Sequence, residues 1–554
     1  MKKKDNSIKV FAILIGIAIL VFGSIYFGTR DRIITEDNVD RLLNDLYDDI
    51  GVKEVQPQKG IIEILTKKDT LPDIKKYPEQ VKNTSKDYIE IMSSTEKAGT
   101  DKEGWLIETA NDFNKSNVII DGKNVSVKIR GIASGVATDY ITSKKYIPDA
   151  FSPSNEFWGK MVESKGIDIE LIEKKLAGNT AGILISKNKK NEFIEKYGKV
   201  NTETIVKAVK ENNIAMGYTN PYASSTGLNF LLSTLNVFNK EDLLSDKSIE
   251  EFGKFQKNIP FVSYTTLQMR ESAQSGMLDA FIMEYQTYIN SDLKGDYDFY
   301  PFGIRHDNPI YALGDLNNDK QKILTKFIEF CQSDKYQKLA TKYGFNKQAD
   351  YDSKLNNIDG EVVSKSQKLW KENKNINNPI NAIFVTDISG SMQGEPLDNL
   401  KKSLLNASQY IGKENSIGLI SFSNDVYIDL PIKKFDTNQI SLFAGAVKNL
   451  KSSGSTAMFD GVIAGTKILS DIKNKEPNSR CILFVLSDGE SNEGNDLDDV
   501  EEILKLKNIP VYTIGYNKEL DKLKKLSKIN EAVNIDSESE DVVYTIANLF
   551  NAEM

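Results

Sequence analysis

Four near-continuous apolar segments in the last third of the chain most restrict what it can fold into. They are NAIFVTD from residue 381, SIGLISFS from 416, CILFVLSD from 481 and IPVYTIGY from 509. Strands that lack alternation between polar and apolar residues are typical of burial on both faces of a sheet. Amphipathic helical segments lie between them, among them LDNLKKSLLNASQYI and MFDGVIAGTKILSDI. The pattern predicts an α/β domain at 376–554 with a doubly wound parallel sheet.

A second α/β region precedes this domain, at residues 86–370. Short strands alternate with amphipathic helices there, as in YIEIMSS followed by GWLIETANDFNK, and VSVKIRG followed by VATDYITSKK. The region is long for a single core, so we expect two α/β lobes that face each other. A polar joint rich in Asn and Lys, WKENKNINNP at 370–379, is expected to separate the lobes from the C-terminal domain.

The first 30 residues predict a membrane anchor. Four lysines in the first nine residues precede an uncharged segment at 10–29, which as a helix is about 30 Å long and matches the hydrocarbon core of a bilayer. The basic flank predicts a cytoplasmic N-terminus, with the bulk of this single-pass protein outside the cell membrane. A cleaved signal peptide is the alternative, although the apolar run is long and lacks a small-x-small exit site. Residues 31–85 are expected to form a stalk or an entry segment.

Composition excludes several classes of function. With 71 basic and 79 acidic side chains the net charge is -8, which does not favour nucleic acid as a partner. Cys331 and Cys481 lie far apart, so neither a disulfide framework nor a CxxC site is expected. The single histidine, His306, lies in the polar stretch FGIRHDNPIY and is expected on a lobe surface. We expect no enzymatic activity, because a metal-dependent phosphatase or protease needs more carboxylates or histidines around its cation.

Oxygen-bearing side chains follow the apolar strands of the C-terminal domain. Asp387, Ser389 and Ser391 come directly after the first of these strands, and alternate positions of an extended loop face the same way. Thr456 in GSTAMFDG and Asp488 at the end of CILFVLSD are expected at the same edge of the sheet. Hydroxyls with few carboxylates suit Mg²⁺, or else Mn²⁺ or Ca²⁺, and leave one coordination position open. Simple helix capping by Asp387 and Thr456 is the alternative.

At these residues the sequence resembles the von Willebrand factor A family and its metal-ion-dependent adhesion site. The resemblance extends from Pro379 to the end of the chain, and all five positions carry the residue types of the family. It implies that the hydroxyls are direct or near ligands, that the aspartates often act through water, and that an Asp or Glu of a protein partner completes the shell. Asp460, in the neighbouring FDG, is expected to orient its loop or cap a helix.

Hydroxyl-rich loops also follow strands in the central region, in IEIMSSTEKAG and TNPYASSTGLNFLL. Hydroxyls and the N–H groups of a helix N-terminus can receive an anion or carboxylate, while plain capping explains the same residues. TNPYASSTGL resembles the corresponding loop of type II extracellular solute-binding proteins of the molybdate and phosphate class, and GIASGVATDY resembles their second strand–turn–helix. The resemblance implies a ligand cleft between two lobes. The residues expected near it are Ser94, Thr95, Ser134, Tyr222, Ser224, Thr226, Glu284 and Tyr285.

Together the regions resemble bacterial proteins that join a substrate-binding domain to a von Willebrand A domain behind an anchor. This implies an adhesion module that captures a protein carboxylate through its metal, while the lobes sense or hold a second ligand. The alternative is a receptor for a small anion or peptide, linked to a transporter or sensor. No cluster of Arg or Lys in the sequence marks a particular oxyanion, so the identity of the solute is not determined. Chelation of divalent metal distinguishes the two, since partner binding vanishes in the first case and solute binding survives in the second.

Overall fold

The structure is a computed structural model that describes residues 34–62, 67–259, 261–263, 269, 278–353, 355, 357–374, 379–477, 479–489, 491–515, 521–528, 534–536, 546 and 550. The expected anchor at 1–30 lies outside these residues. Within the described part of the chain, no helix combines the length and apolar character needed to cross a membrane. The described chain has the expected mixed α/β character.

Strands and helices alternate along most of the chain. The strands are β1 (Lys53–Glu54), β2 (Glu79–Val81), β3 (Asp87–Ser93), β4 (Ile119–Ile120), β5 (Lys123–Gly131), β6 (Ala150–Ser152), β7 (Ile169–Glu173), β8 (Thr180–Ser186), β9 (Met216–Thr219), β10 (Phe261–Ser263), β11 (Ala280–Glu284), β12 (Tyr297–Arg305), β13 (Ile310–Leu313), β14 (Ile380–Asp387), β15 (Ser416–Phe422), β16 (Val426–Lys434), β17 (Arg480–Ser487), β18 (Val511–Gly515) and β19 (Asn534–Asp536).

The α-helices are Val39–Ile50, Lys67–Thr70, Thr95–Ala98, Trp105–Lys115, Ser134–Thr142, Glu156–Ser164, Lys187–Tyr197, Thr202–Lys210, Ser225–Phe238, Asp246–Gln256, Tyr285–Ile289, Asn318–Gln332, Asp334–Lys342, Gly360–Asn373, Glu395–Ala407, Thr437–Asn449, Met458–Lys475, Leu497–Lys507 and Asp521–Lys528. Short 3₁₀ turns occur at Ile74–Lys76, Asp101–Glu103, Asp292–Gly295, Gly390–Met392 and Ser408–Tyr410.

Two sheets build the central region. The first has the order β2-β5-β3-β6-β13-β7, with β4 beside β5, and the second has the order β10-β9-β11-β8-β12. The chain passes from the first sheet to the second between β7 and β8, and returns between β12 and β13. Strand β3 is parallel to β5, and β9 is parallel to β11. These sheets correspond to the two lobes expected from the sequence.

One seven-stranded sheet, ordered β1-β16-β15-β14-β17-β18-β19, organises the C-terminal domain. Successive residues of β14 face opposite layers, as the period of a strand requires. Phe384 joins an apolar cluster with Leu400 and Phe443 on one face, while Val385 packs with Val462 on the other. The domain is therefore wound on both faces. The sheet is not wholly parallel, because β16 runs antiparallel to β15.

Residues 39–60, which we call the strap, pack on the C-terminal domain. The helix Val39–Ile50 buries Val39 and Leu43 in the same apolar cluster as the helix Met458–Lys475. Strand β1 then pairs in parallel with β16, and the N–H of Gly60 donates to the carbonyl of Ser441 at 2.7 Å. The expectation of a stalk over 31–85 is wrong for this segment, because its apolar face meets partners that lie hundreds of residues away. The strap also covers the edge of β16, which protects it from pairing with other chains.

The helix Gly360–Asn373 belongs to the lobes and not to the joint expected at 370–379. Trp370 is fully buried, and its indole N–H donates to the hydroxyl of Tyr218 at 2.8 Å. The amide of Gln367 donates to the carbonyl of Pro221 at 2.9 Å. The connection to the C-terminal sheet therefore starts only after this helix ends.

A pH-dependent contribution to stability is predicted for Asp429 in β16. Burial raises the pKa of Asp429 to about 6, above the value of about 3.9 for an unfolded chain. The folded state thus binds this proton more tightly than the unfolded chain does. The contribution of this proton to stability is present below pH 4 and is lost as the pH rises through 6. Asp429→Asn should raise the free energy of unfolding by about 1–2 kcal/mol at pH 7.5, after a discount for partial exposure, and change it little at pH 4. Urea denaturation at both pH values measures this, and an equal effect at both contradicts the prediction.

Candidate functional site

The five predicted metal-site residues lie on three loops at the C-terminal sheet. Asp387 is the last residue of β14, Ser389 and Ser391 follow it at the turn Gly390–Met392, and Asp488 directly follows β17. Strands β14 and β17 are parallel neighbours, so both loops leave the same edge. Thr456 lies just before the helix Met458–Lys475.

Four of these residues form a continuous chain of contacts. The hydroxyl oxygens of Ser389 and Ser391 are 3.0 Å apart. Ser391 Oγ donates to Asp488 Oδ1 at 2.8 Å, and Asp387 Oδ1 accepts from the backbone N–H of Ser389 at 2.8 Å. Oxygens from two separate loops thus meet at one point.

The Thr456 loop is bonded to both of the other loops. The N–H of Gly390, between the two serines, donates to the carbonyl of Gly454 at 2.9 Å. The N–H of Thr456 donates to Asn492 Oδ1 at 2.9 Å, and the N–H of Asn492 donates to the carbonyl of Thr456 at 3.0 Å. Asn492 lies on the loop that begins with Asp488. The three loops therefore hold one another in place.

The electrostatics of the site favour a cation. Asp387 is fully buried and Asp488 is 5% exposed. Burial raises the pKa of Asp387, opposed by hydrogen bonds from Ser389 and Ser487, and the charge of Asp488 adds to the rise. The donors to these carboxylates in the described structure are hydroxyls and a backbone N–H, which carry no charge. Two buried negative charges among hydroxyl oxygens fit a hard divalent ion.

Sequence reasoning missed one supporting residue and anticipated the role of another only in part. Ser487 Oγ donates to Asp387 Oδ2 at 2.5 Å, although the sequence pattern marks Ser487 only as the end of an apolar strand. Its position beside Asp488 was the available signal. Asp460 accepts from the backbone N–H of Asn495 at 2.8 Å and from its amide at 2.7 Å. Asp460 therefore orients the loop between β17 and the helix Leu497–Lys507, whereas the sequence suggested its own loop or a helix cap.

A cavity of about 350 Å³ lies between the two central sheets. Its wall is formed by residues of β11 and by the loops that follow β3, β5, β6, β9 and β11. Five of the predicted cleft residues line it, namely Thr95, Ser134, Ser224, Thr226 and Glu284. We call this space the interlobe cavity.

The other three predicted cleft residues lie outside the cavity wall. Ser94 is almost fully buried. The ring of Tyr222 packs 6.0 Å from that of Trp370, and the ring of Tyr285 meets Phe299 edge-on at 5.0 Å. Tyr222 and Tyr285 neighbour true lining residues in sequence, but their rings pack into aromatic clusters.

His306 is fully buried, so its expected place on a lobe surface is wrong. Its Nδ1 lies 2.7 Å from Glu284 Oε1, and its Nε2 lies 3.1 Å from the amide nitrogens of Asn155 and Asn229. Because amide nitrogens only donate, Nε2 accepts and Nδ1–H donates to Glu284. The polar segment around His306 crosses between the lobes, where polar groups are buried with partners.

Comparison with known families agrees with this architecture. Residues 98–346 match the model of the bacterial extracellular solute-binding proteins, and residues 381–552 match that of the von Willebrand factor type A domain. The chain therefore carries a bacterial solute-binding domain followed by a von Willebrand factor A domain. This pair supports an extracellular binding or adhesion role, and domains of the second kind commonly bind a divalent metal.

Individual relatives match only parts of the chain. Inter-alpha-trypsin inhibitor heavy chain H3 of Pongo abelii is 28% identical over 150 residues, which cover 26% of this chain and 17% of that protein. An uncharacterised protein of Synechocystis sp. is 31% identical over 144 residues, which cover 25% of this chain and 32% of that protein. This chain thus spans less than a third of either relative.

Solved structures resemble the two domains separately. A periplasmic thiamin binding protein aligns with 52% of this chain and 96% of its own, at 11% identity and a TM-score of 0.38. A von Willebrand factor type A structure from Catenulispora acidiphila covers 31% of this chain and 42% of its own, at 15% identity and a TM-score of 0.29. At such TM-scores the likeness carries no argument about function.

Proposed function

We propose that this protein captures an aspartate or glutamate of a partner protein through a divalent cation, Mg²⁺ or else Mn²⁺ or Ca²⁺, at the site of Asp387, Ser389, Ser391, Thr456 and Asp488. The convergence of oxygens from Ser389, Ser391 and Asp488 within hydrogen-bonding distance supports this. The proposed role is binding and not catalysis.

The hydroxyl and the carboxylate side chains have different proposed roles. The hydroxyls of Ser389, Ser391 and Thr456 would hold the ion, and the buried carboxylates of Asp387 and Asp488 would balance its charge. When bound, the ion supplies a coordination position that a carboxylate of the partner can fill. Hydrogen bonds from Ser389 N and Ser487 Oγ keep Asp387 in place before any partner arrives.

We also propose that the protein is anchored in the cell membrane by its N-terminal segment, with both domains outside. Four lysines followed by an uncharged segment at 10–29 support this topology. Protease treatment of intact cells tests it, because both domains should be digested while an epitope placed before residue 10 stays protected. Protection of the domains would overturn the topology.

Peptide capture tests the metal-dependent function. Immobilised peptides with one central Asp or Glu are compared with the same peptides carrying Asn or Gln, using the full-length protein in Mg²⁺ or in EDTA. Acidic peptides should retain the protein in Mg²⁺ alone. Retention that persists in EDTA, or that does not distinguish Asp from Asn, would refute the proposal.

A solute receptor is the second candidate, and the interlobe cavity favours it. Five hydroxyl or carboxyl side chains expected from the sequence line this cavity, which is of the size that accepts small metabolites. EDTA should abolish peptide capture and leave binding in the cavity unchanged. Loss of both activities in EDTA would mean that the two sites are not separate.

A further inference from the structure

One side of the interlobe cavity is acidic. Its wall there is formed by Glu96 and Glu103 from the loop after β3 and by Glu284 at the end of β11. These two loops are in contact, because the amide of Gln286 donates to the carbonyl of Lys102 at 2.9 Å. Among the described residues that line the cavity, none is a lysine or arginine. A cationic group is therefore favoured on this side.

The environment of Glu284 leaves its negative charge without a direct ion-pair partner. Asn179 donates to its Oε2 at 2.8 Å, while His306 at 2.7 Å and Thr226 at 3.4 Å donate to its Oε1. The ring of His306 is a neutral donor, as shown above. These groups orient the carboxylate and solvate it, but they do not balance its charge.

The buried Lys97 offsets only part of the negative charge. Its ammonium is fully buried, donates to the carbonyl of Ser152 at 2.9 Å, and lies 3.5 Å from Glu96. One positive charge thus stands beside the two carboxylates of Glu96 and Glu284. The acidic side keeps a net negative charge for a ligand to match.

A second part of the cavity wall is rich in donors and adjoins Glu284, because Thr226 in the first turn of the helix Ser225–Phe238 donates to Glu284 Oε1 at 3.4 Å. It is formed by the first turns of the helices Ser134–Thr142 and Ser225–Phe238, which follow β5 and β9. The first N–H groups of a helix have no partner within it and carry a partial positive charge. Ser225 adds a side-chain donor. Its Oγ accepts from the indole N–H of Trp158 at 2.8 Å, which leaves the hydrogen of the hydroxyl to donate. In the described structure the hydroxyl hydrogen of this 6% exposed side chain has no acceptor, so a ligand oxygen can take it.

We propose that the interlobe cavity binds a small zwitterion of the α-amino acid type. Its ammonium would lie at Glu284 and Glu96, and its carboxylate at Ser225 and the two helix N-termini. The inference rests on the proposed solute-binding role of this cavity and replaces the expected anion with a dipolar ligand. An anion without a positive group would be repelled by the carboxylates of Glu96 and Glu284. A cation without a negative group would leave the hydroxyl donor of Ser225 without an acceptor. The volume of about 350 Å³ suits a molecule of this size.

Ligand titration provides the test. The full-length protein is screened against the twenty L-amino acids by thermal shift, together with succinate and putrescine. The best amino acid is then measured by calorimetry against its amide, which lacks the carboxylate, and its N-acetyl derivative, which lacks the ammonium. Each derivative should bind about tenfold to a hundredfold more weakly than the parent, because each loses a charge-assisted set of hydrogen bonds.

Variants assign the two ends of the ligand. Glu284→Gln should reduce the preference for the parent over the N-acetyl derivative to a few-fold, and Ser225→Ala should reduce the preference over the amide in the same way. If Glu284→Gln fails to fold, Glu96→Gln, at a partly exposed position, tests the contact with the ligand ammonium instead. Glu195→Gln, an exposed carboxylate on the helix Lys187–Tyr197, is the matched control and should change neither preference.

Each outcome decides the inference. A parent that binds better than both derivatives, with preferences that fall only in the matching variants, supports it. If succinate or putrescine binds and no amino acid does, or if a derivative binds as well as the parent, the zwitterion is refuted while the solute-binding role survives. If no probe binds, both the inference and the solute-binding role fail.

Discussion

Asp387→Ala is expected to weaken Mg²⁺ binding to the full-length protein by about a hundredfold. Asp387 is fully buried and holds both the Ser389 loop, through its Oδ1, and Ser487, through its Oδ2. Its removal takes away a buried negative charge and the hydrogen bond that positions Ser389. Loss of a group that orients metal ligands commonly costs 10- to 100-fold in affinity, and loss of the charge adds to this. Isothermal titration with Mg²⁺ and Mn²⁺ measures the effect.

Two further variants make this prediction specific. Ser391→Ala should also weaken Mg²⁺ binding strongly, because Ser391 contacts both Ser389 and Asp488. Asp498→Ala removes an exposed carboxylate from the first turn of the helix Leu497–Lys507 and should leave the affinity unchanged. If the wild type, Asp387→Ala and Ser391→Ala all bind Mg²⁺ alike, the metal does not bind at these loops.

Trp370→Ala is expected to destabilise the solute-binding domain by about 3–5 kcal/mol, the usual cost of removing a buried Trp. Trp370 is fully buried in the apolar cluster of the lobes, and its loss also removes the donor to the Tyr218 hydroxyl. Hydrogen exchange followed by mass spectrometry resolves the two domains. Protection should fall in the lobes and stay unchanged in the C-terminal sheet.

The matched control for this prediction lies two residues away. Lys368 is on the same helix with 75% of its side chain exposed, so Lys368→Ala should change protection little. Equal loss of protection in both domains of Trp370→Ala would contradict the assignment of the helix Gly360–Asn373 to the lobes.

The sequence was informative wherever burial on both faces leaves a continuous apolar run. Strands β14, β15, β17 and β18 were all predicted within a few residues of their bounds. Strand β16 was missed, because it carries Pro431 and the polar Asp429 at positions where an interior strand would be apolar. Proline is tolerated in it because it is antiparallel and lies near the edge of the sheet.

Local pattern could not reveal contacts between distant segments. The helix Val39–Ile50 has an apolar face, but nothing near it in sequence shows that this face packs on the helix Met458–Lys475. The same reason explains the error at His306, whose partners Asn155, Asn229 and Glu284 come from three other segments. The metal-site residues could be predicted from the sequence, because strand order alone brings Asp387 and Asp488 to one edge of the sheet.

The strap has a mechanical consequence. It joins the N-terminal side of the chain to the same sheet that carries the metal loops, through the pairing of β1 with β16 and the packing of the helix Val39–Ile50. A tensile load between an anchored N-terminus and a captured partner would run through that sheet and bypass the lobes, which are inserted between β1 and β14. The lobes could then exchange a solute while the grip on the partner stays under tension.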